Sequence, residues 1–127
     1  MRVFGLAAAV AIAMGGSVQA DDLSALRQGL DKAALANMTL TYVCREAFGG
    51  LTRYQAARAT AVDAFVLAGM KTNEATLAVD HMDQRLKADP RVKSSQVSKQ
   101  ICVEKATNAE SDVEAWEAKL RAAKAGQ

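Results

Sequence analysis

Large aromatic side chains are scarce in this chain. Three phenylalanines, two tyrosines and one tryptophan make up 5% of its 127 residues. A small domain with so few rings must build its core largely from alanine, leucine and valine, and any covalent tie gains weight. Proline occurs once, at Pro90, which excludes a rigid proline-rich spacer. The 16 basic residues nearly balance the 14 acidic ones, unlike the lopsided charge of a disordered chain. Histidine occurs once, at His81, and cysteine twice with no C-x-x-C, so no local metal or dithiol motif is present. No stretch alternates apolar with polar over a strand length, and neither Asn-Gly nor Asp-Gly occurs to turn a hairpin.

What is present begins with an address. Arg2 precedes an uncharged apolar run at residues 3–14, Gly15-Gly16-Ser17 breaks it, and Val18 and Ala20 put small side chains where a signal peptidase reads. This is the pattern of a secretory signal peptide, residues 1–20, cleaved after Ala20 to leave 21–127 as a single helical domain. The run is well short of the roughly 20 apolar residues that cross a bilayer. Asp21, rather than a cysteine for lipidation, follows the cleavage point, and no later stretch is long enough to span. The expected location is periplasmic or secreted. Loss of residues 1–20 removes one base and no acid, so the net charge of +2 falls to +1. A chain so nearly neutral has no general attraction to nucleic acid.

Cys44 and Cys102 are the only cysteines. An even count in an exported protein points to one disulfide, with two buried free thiols as the alternative. Closing a loop of roughly 60 residues contributes about 4 kcal/mol in the chain-entropy model.

Helical periodicity covers the rest. Leu23, Leu26, Leu30, Ala33, Asn37, Leu40, Cys44, Ala47 and Leu51 recur at steps of three and four, a face made wide by Leu35, Met38, Tyr42 and Val43 beside it, with Asp21 or Asp22 as cap, Gly29 as a weak point and Gly49-Gly50 as the stop. A second stripe runs through Tyr54, Arg58, Ala61 and Phe65 after a Thr52 cap and ends near Gly69. A third, opened by Thr72 or Asn73, holds Ala75, Val79, Met82 and Leu86 and closes at Asp89-Pro90. After Ser94 or Ser95, the residues Cys102, Ala106, Ala109, Val113, Trp116, Leu120 and Ala123 form a heptad-like seam. One long helix explains the seam; a break near Asn108, with Ser111-x-x-Glu114 as a capping box, is the alternative. The expected fold is all-α, a small bundle of four to five helices tied by one disulfide.

Chemistry is hard to assemble. The residues sharing a helical face with His81 are Leu77, Ala78, Gln84 and Arg85, none of which is a metal ligand or a carboxylate. Asp80 and Asp83 read as solvated helix charges, and the basic residues around Asp89-Pro90 as a solvated face. Tyr42, Tyr54 and Trp116 read as core. We therefore expect no catalytic residue, no cofactor and no metal, and leave open a homodimer with Trp116 at its interface.

The segment Thr41-Tyr42-Val43-Cys44-Arg45-Glu46-Ala47-Phe48 resembles the first-helix cysteine segment of the periplasmic immunity proteins that block type VI secretion amidase toxins. Gln100-Ile101-Cys102-Val103-Glu104 is similar to their second-cysteine segment, and the likeness extends over most of 35–115. It implies a non-enzymatic inhibitor of an exported cell-wall amidase. The helical make-up with one disulfide also resembles the periplasmic acid-stress chaperones, which implies client protection instead. On either reading Cys44 and Cys102 are bonded. Unreduced protein from the exported compartment is expected to resist thiol alkylation, and reduction is expected to lower its stability by about 2–5 kcal/mol in a denaturant titration.

Overall fold

The computed structural model describes residues 20–49, 51–93 and 96–126. They form five helices: α1 (Ala20–Phe48), α2 (Leu51–Leu67), α3 (Thr72–Ala88), the single turn α4 (Pro90–Lys93) and α5 (Lys99–Ala125). No strand occurs among the described residues, and no helix there is long and apolar enough to cross a membrane. The fold is the all-α disulfide-tied bundle expected. The signal-peptide reading rests on residues 1–19, outside the described residues, as do the expected caps Ser94 and Ser95.

The ends of the helices follow local chemistry. Gly69, at φ 117°, ends α2 in a Schellman turn: its N–H donates to the Val66 carbonyl, and the Met70 N–H donates to that of Phe65. A side chain at that φ would be strained. Helix α3 is capped one residue earlier than expected, by Lys71, whose backbone N–H donates to Glu74 Oε1 at 3.2 Å. Asp89 stops α3 and starts α4, its carboxylate accepting from the Arg91 N–H while Pro90 takes the first helical position. Ser98 caps α5, its Oγ accepting from the Ile101 N–H at 3.1 Å; the serine that does this lies just before the helix, past Ser94 and Ser95. Thr52 is not a cap but lies within the first turn of α2.

Helix α5 runs unbroken through Asn108 and Ser111, and its buried residues Cys102, Ala106, Val113 and Leu120 are those of the seam. Along α1 the buried set is Leu23, Leu30, Ala34, Asn37, Met38, Thr41 and Tyr42: the expected face, centred after Leu30 on its Met38 and Tyr42 flank, with Ala34 and Thr41 added. The Thr41 hydroxyl donates back to the Asn37 carbonyl at 2.8 Å, so a β-branched residue sits in the helix without an orphaned polar group. Helix α2 contributes Tyr54, Ala57, Ala61, Ala64 and Phe65, and its alanines let α1 approach closely.

Helices α1 and α5 run antiparallel, pinned twice. Cys44 and Cys102 are bonded with their Cα atoms 5.8 Å apart. Four turns away, the six-membered ring of Trp116 lies against Gly29, so close that a Cβ at that position would overlap it. The residue that weakens the helix locally is the notch that seats its partner's largest side chain. Trp116 is accordingly half-buried against the core, with Lys119 Nζ 4.6 Å from the ring centroid on its open side.

Gly29→Ala decides between helix propensity and packing. Propensity alone would stabilise by about 1 kcal/mol, whereas forcing a methyl group into a filled site costs about 1–3 kcal/mol. We expect net destabilisation in urea titrations, and a reversal of sign when the same substitution is made in a Trp116→Ala background.

Candidate protein-binding cleft

Two places combine polar chemistry with burial or an opening. The first lies inside. Tyr54 is 1% exposed, and its hydroxyl donates to Asp83 Oδ1 at 2.5 Å, while Lys87 pairs with Asp83 Oδ2 at 2.9 Å. Asp83 is therefore not a solvated helix charge. It takes the buried position on α3, and Met82 sits only partly buried beside it. Asp80 remains half-exposed and pairs with Arg58. Burial pushes the Asp83 carboxyl up, but the Tyr54 and Lys87 hydrogen bonds and the charges of Lys87 and Arg58 outweigh this and hold it below the usual range. Burial, then the bond to Asp83, raises the Tyr54 phenol well above its ordinary value. Tyr42 meets Tyr54 edge to face at 5.2 Å, and the Arg45 guanidinium lies over both rings, 4.6 Å from Tyr42 and 5.2 Å from Tyr54. Tyr54, Asp83 and Lys87 satisfy one another, so this network is structural, and the two rings fix where the Arg45 guanidinium lies.

The second place is the cleft into which Arg45 projects. It opens between the end of α1, the start of α2 and the start of α5, over the Cys44–Cys102 bond and Ala106. Phe48 and Val103 form its apolar walls and remain 47% and 54% exposed; Ile101, on the same turn of α5, is 43% exposed. Three cations line it, Arg45, Arg53 and Lys99, and no acid does. Arg45 pairs with Glu46 at 2.9 Å. Arg53 donates to Thr107 Oγ1 at 3.2 Å, and among the described residues neither Arg53 nor Lys99 has a carboxylate partner. The two cysteines were legible as a bond. The cleft was not, because its walls come from three helices whose neighbourhood only the fold creates.

His81 is exposed on α3 beside a shallow depression that also holds Asp31 and Arg85. Burial raises the Asp31 carboxyl, whose Oδ1 has no hydrogen-bond partner among the described residues. No group of three or more metal-ligating side chains comes together among the described residues. No protein-family model, no curated protein and no solved structure matches this chain.

The two aspartates make opposite pH predictions. Asp83 has a lowered folded pKa, so its contribution is present at neutral pH and is lost as pH falls through that value, below about 4. Asp31 has a raised folded pKa, so its contribution is full below about 4 and is lost as pH rises through the folded value. In chemical denaturation, Asp83→Asn is expected to cost more at pH 7 than at pH 3, and Asp31→Asn to gain more at pH 7 than at pH 3. Tyr54→Phe, which leaves the carboxylate short of a donor, is expected to cost about 1.5–3 kcal/mol at pH 7.

Proposed function

We propose that this is an exported, non-enzymatic protein that acts by binding another protein, as an immunity protein does when it blocks a cell-wall amidase toxin. The observation that carries the reading is the open cleft beside the disulfide. Phe48 and Val103 stand out of the core there, next to cations with no carboxylate partner, on helix ends that the Cys44–Cys102 bond makes rigid. An apolar centre inside a charged rim is the anatomy of a protein interface, and a rigid presentation lowers the entropic cost of docking. The likeness of 41–48 and 100–104 to the cysteine segments of the immunity proteins falls on these same helix ends. The disulfide agrees with a periplasmic or secreted location, where such bonds persist.

A second reading, a periplasmic acid-stress chaperone, is favoured by one further observation. Val66 and Met70 are also exposed, at the α2 end. Lys124 near the end of α5 bonds the Leu67 carbonyl at 3.0 Å, so this second apolar surface lies at the opposite end of the bundle from the disulfide. Two separated apolar surfaces suit a protein that holds unfolded clients.

Affinity capture from periplasmic extract separates the readings. The immunity reading expects one stoichiometric partner whose amidase activity and toxicity are suppressed on co-expression. The chaperone reading expects many partners and protection of a client from aggregation near pH 2–3. Recovery of neither overturns the protein-binding function.

A further inference from the structure

We infer that the cleft beside the disulfide takes an acidic protein segment: one apolar side chain, flanked by carboxylates, on an exposed loop of the partner. This rests on the protein-binding reading and names the partner's chemistry at that site. The floor is the cystine and Ala106, with Phe48 and Val103 as walls, which is a slot for a leucine- or phenylalanine-sized group. The rim is cationic on two sides, from Arg45 and Arg53 at the junction of α1 and α2 and from Lys99 at the start of α5. The positive charge is local. The whole chain carries only +2. Of the acids near the rim, Glu46 pairs with Arg45 and Glu104 accepts from Gln100, while Glu110, Asp112, Glu114 and Glu117 lie more than two turns past Cys102, so the uncompensated charge is that of Arg53 and Lys99.

The rim is also prepared for anions. The Arg45 guanidinium is held over two buried rings and paired with Glu46, so it is a fixed part of the rim, and the charge left for an anion is that of Arg53 and Lys99. Arg53 is oriented by the Thr107 hydroxyl, which uses one of its five donors and leaves its charge uncompensated. Arginine forks bind carboxylates with two parallel hydrogen bonds, and the neighbouring apolar walls lower the local dielectric and strengthen them. A polyanion without apolar groups fits less well: the two cations without a carboxylate partner give it a modest, salt-sensitive hold, and Phe48 and Val103 stay wet.

The test uses the mature protein, labelled for NMR, titrated with three peptides of equal length. The first has a central leucine flanked by two glutamates on each side; the second replaces the glutamates with lysines; the third is polyglutamate. The acidic leucine peptide is expected to shift the amides of Phe48, Arg53, Val103 and Ala106, and to bind at least tenfold more tightly than either control. Raising salt from 50 to 500 mM is expected to weaken it at least threefold. Val103→Glu and Arg53→Glu alter exposed positions, so the helical circular dichroism is expected to stay unchanged while binding falls at least tenfold. Equal binding of all three peptides, no binding up to millimolar concentration, shifts away from the cleft, or polyglutamate binding as well as the first peptide each overturns the inference. A concentration-dependent dimer that shifts the same amides overturns it too, because the occupant is then a second copy. The broader reading is judged apart: a captured partner that binds wild type and Val103→Glu alike sinks the cleft and spares the protein-binding function. Peptide binding without any captured partner does the reverse.

Discussion

The antiparallel pairing of α1 with α5 is the constraint on which the rest of the structure depends. Two pins hold it, and neither is a broad apolar face. One is covalent, Cys44–Cys102, and the other is a ring in a notch, Trp116 on Gly29. They are fifteen residues apart on α1 and fourteen on α5, about 22 Å along each axis. The matching spacing fixes the register of the pair over that length. Between the pins, Leu30, Ala34 and Met38 on one helix and Ala106 and Val113 on the other are fully or nearly fully buried. Helix α2 then packs across both, and α3 is carried on α2.

The second requirement of this fold is a polar one. An alanine-rich α2 supplies little apolar volume, and Tyr54 is the largest fully buried side chain among the described residues. A buried phenol needs a partner, and Asp83 supplies it across the α2–α3 boundary at 2.5 Å. The Tyr54 hydrogen bond, and Lys87 one turn along its own helix, together hold that carboxyl below its usual range despite its burial. Removing any one member would leave another short of its partner, which is why the network specifies the docking of α3 more sharply than alanine packing could. Its influence reaches the surface, because the same two tyrosine rings hold Arg45 against the cleft.

What the chain disclosed beforehand and what it concealed divide along a physical line. The α5 seam was legible because α5 packs chiefly along one neighbour, α1, at a constant period, and the unbroken helix keeps that phase. The stripe on α3 was misread by a single position: Met82 and Asp83 are adjacent, and hydrophobicity chose methionine where the buried partner of Tyr54 had to be an acid. Gly29 looked like a defect because propensity is a property of one helix, whereas its use is a property of two. The turn α4 went unread although Asp89-Pro90 carries both an N-cap and a first-turn proline; the dipeptide closes one helix and opens another, and its stopping role masked the second. The cleft had no linear signature at all.

The position of that cleft follows from how the bundle is stabilised. A disulfide acts mainly by limiting the unfolded chain, at about 4 kcal/mol for a loop of this length. Sealing the exposed half of Phe48 or Val103 against a neighbour would add about half of the roughly 1.5–3 kcal/mol that full burial brings. With the tie in place, the α1 and α5 ends stay together without that burial, and the apolar side chains around the tie are free to face outward. At the other pin no such freedom exists, since Trp116 must cover Gly29 for the register to hold. At the covalent end the disulfide offsets the burial that Phe48 and Val103 forgo, so an open apolar surface stands there beside cations without carboxylate partners.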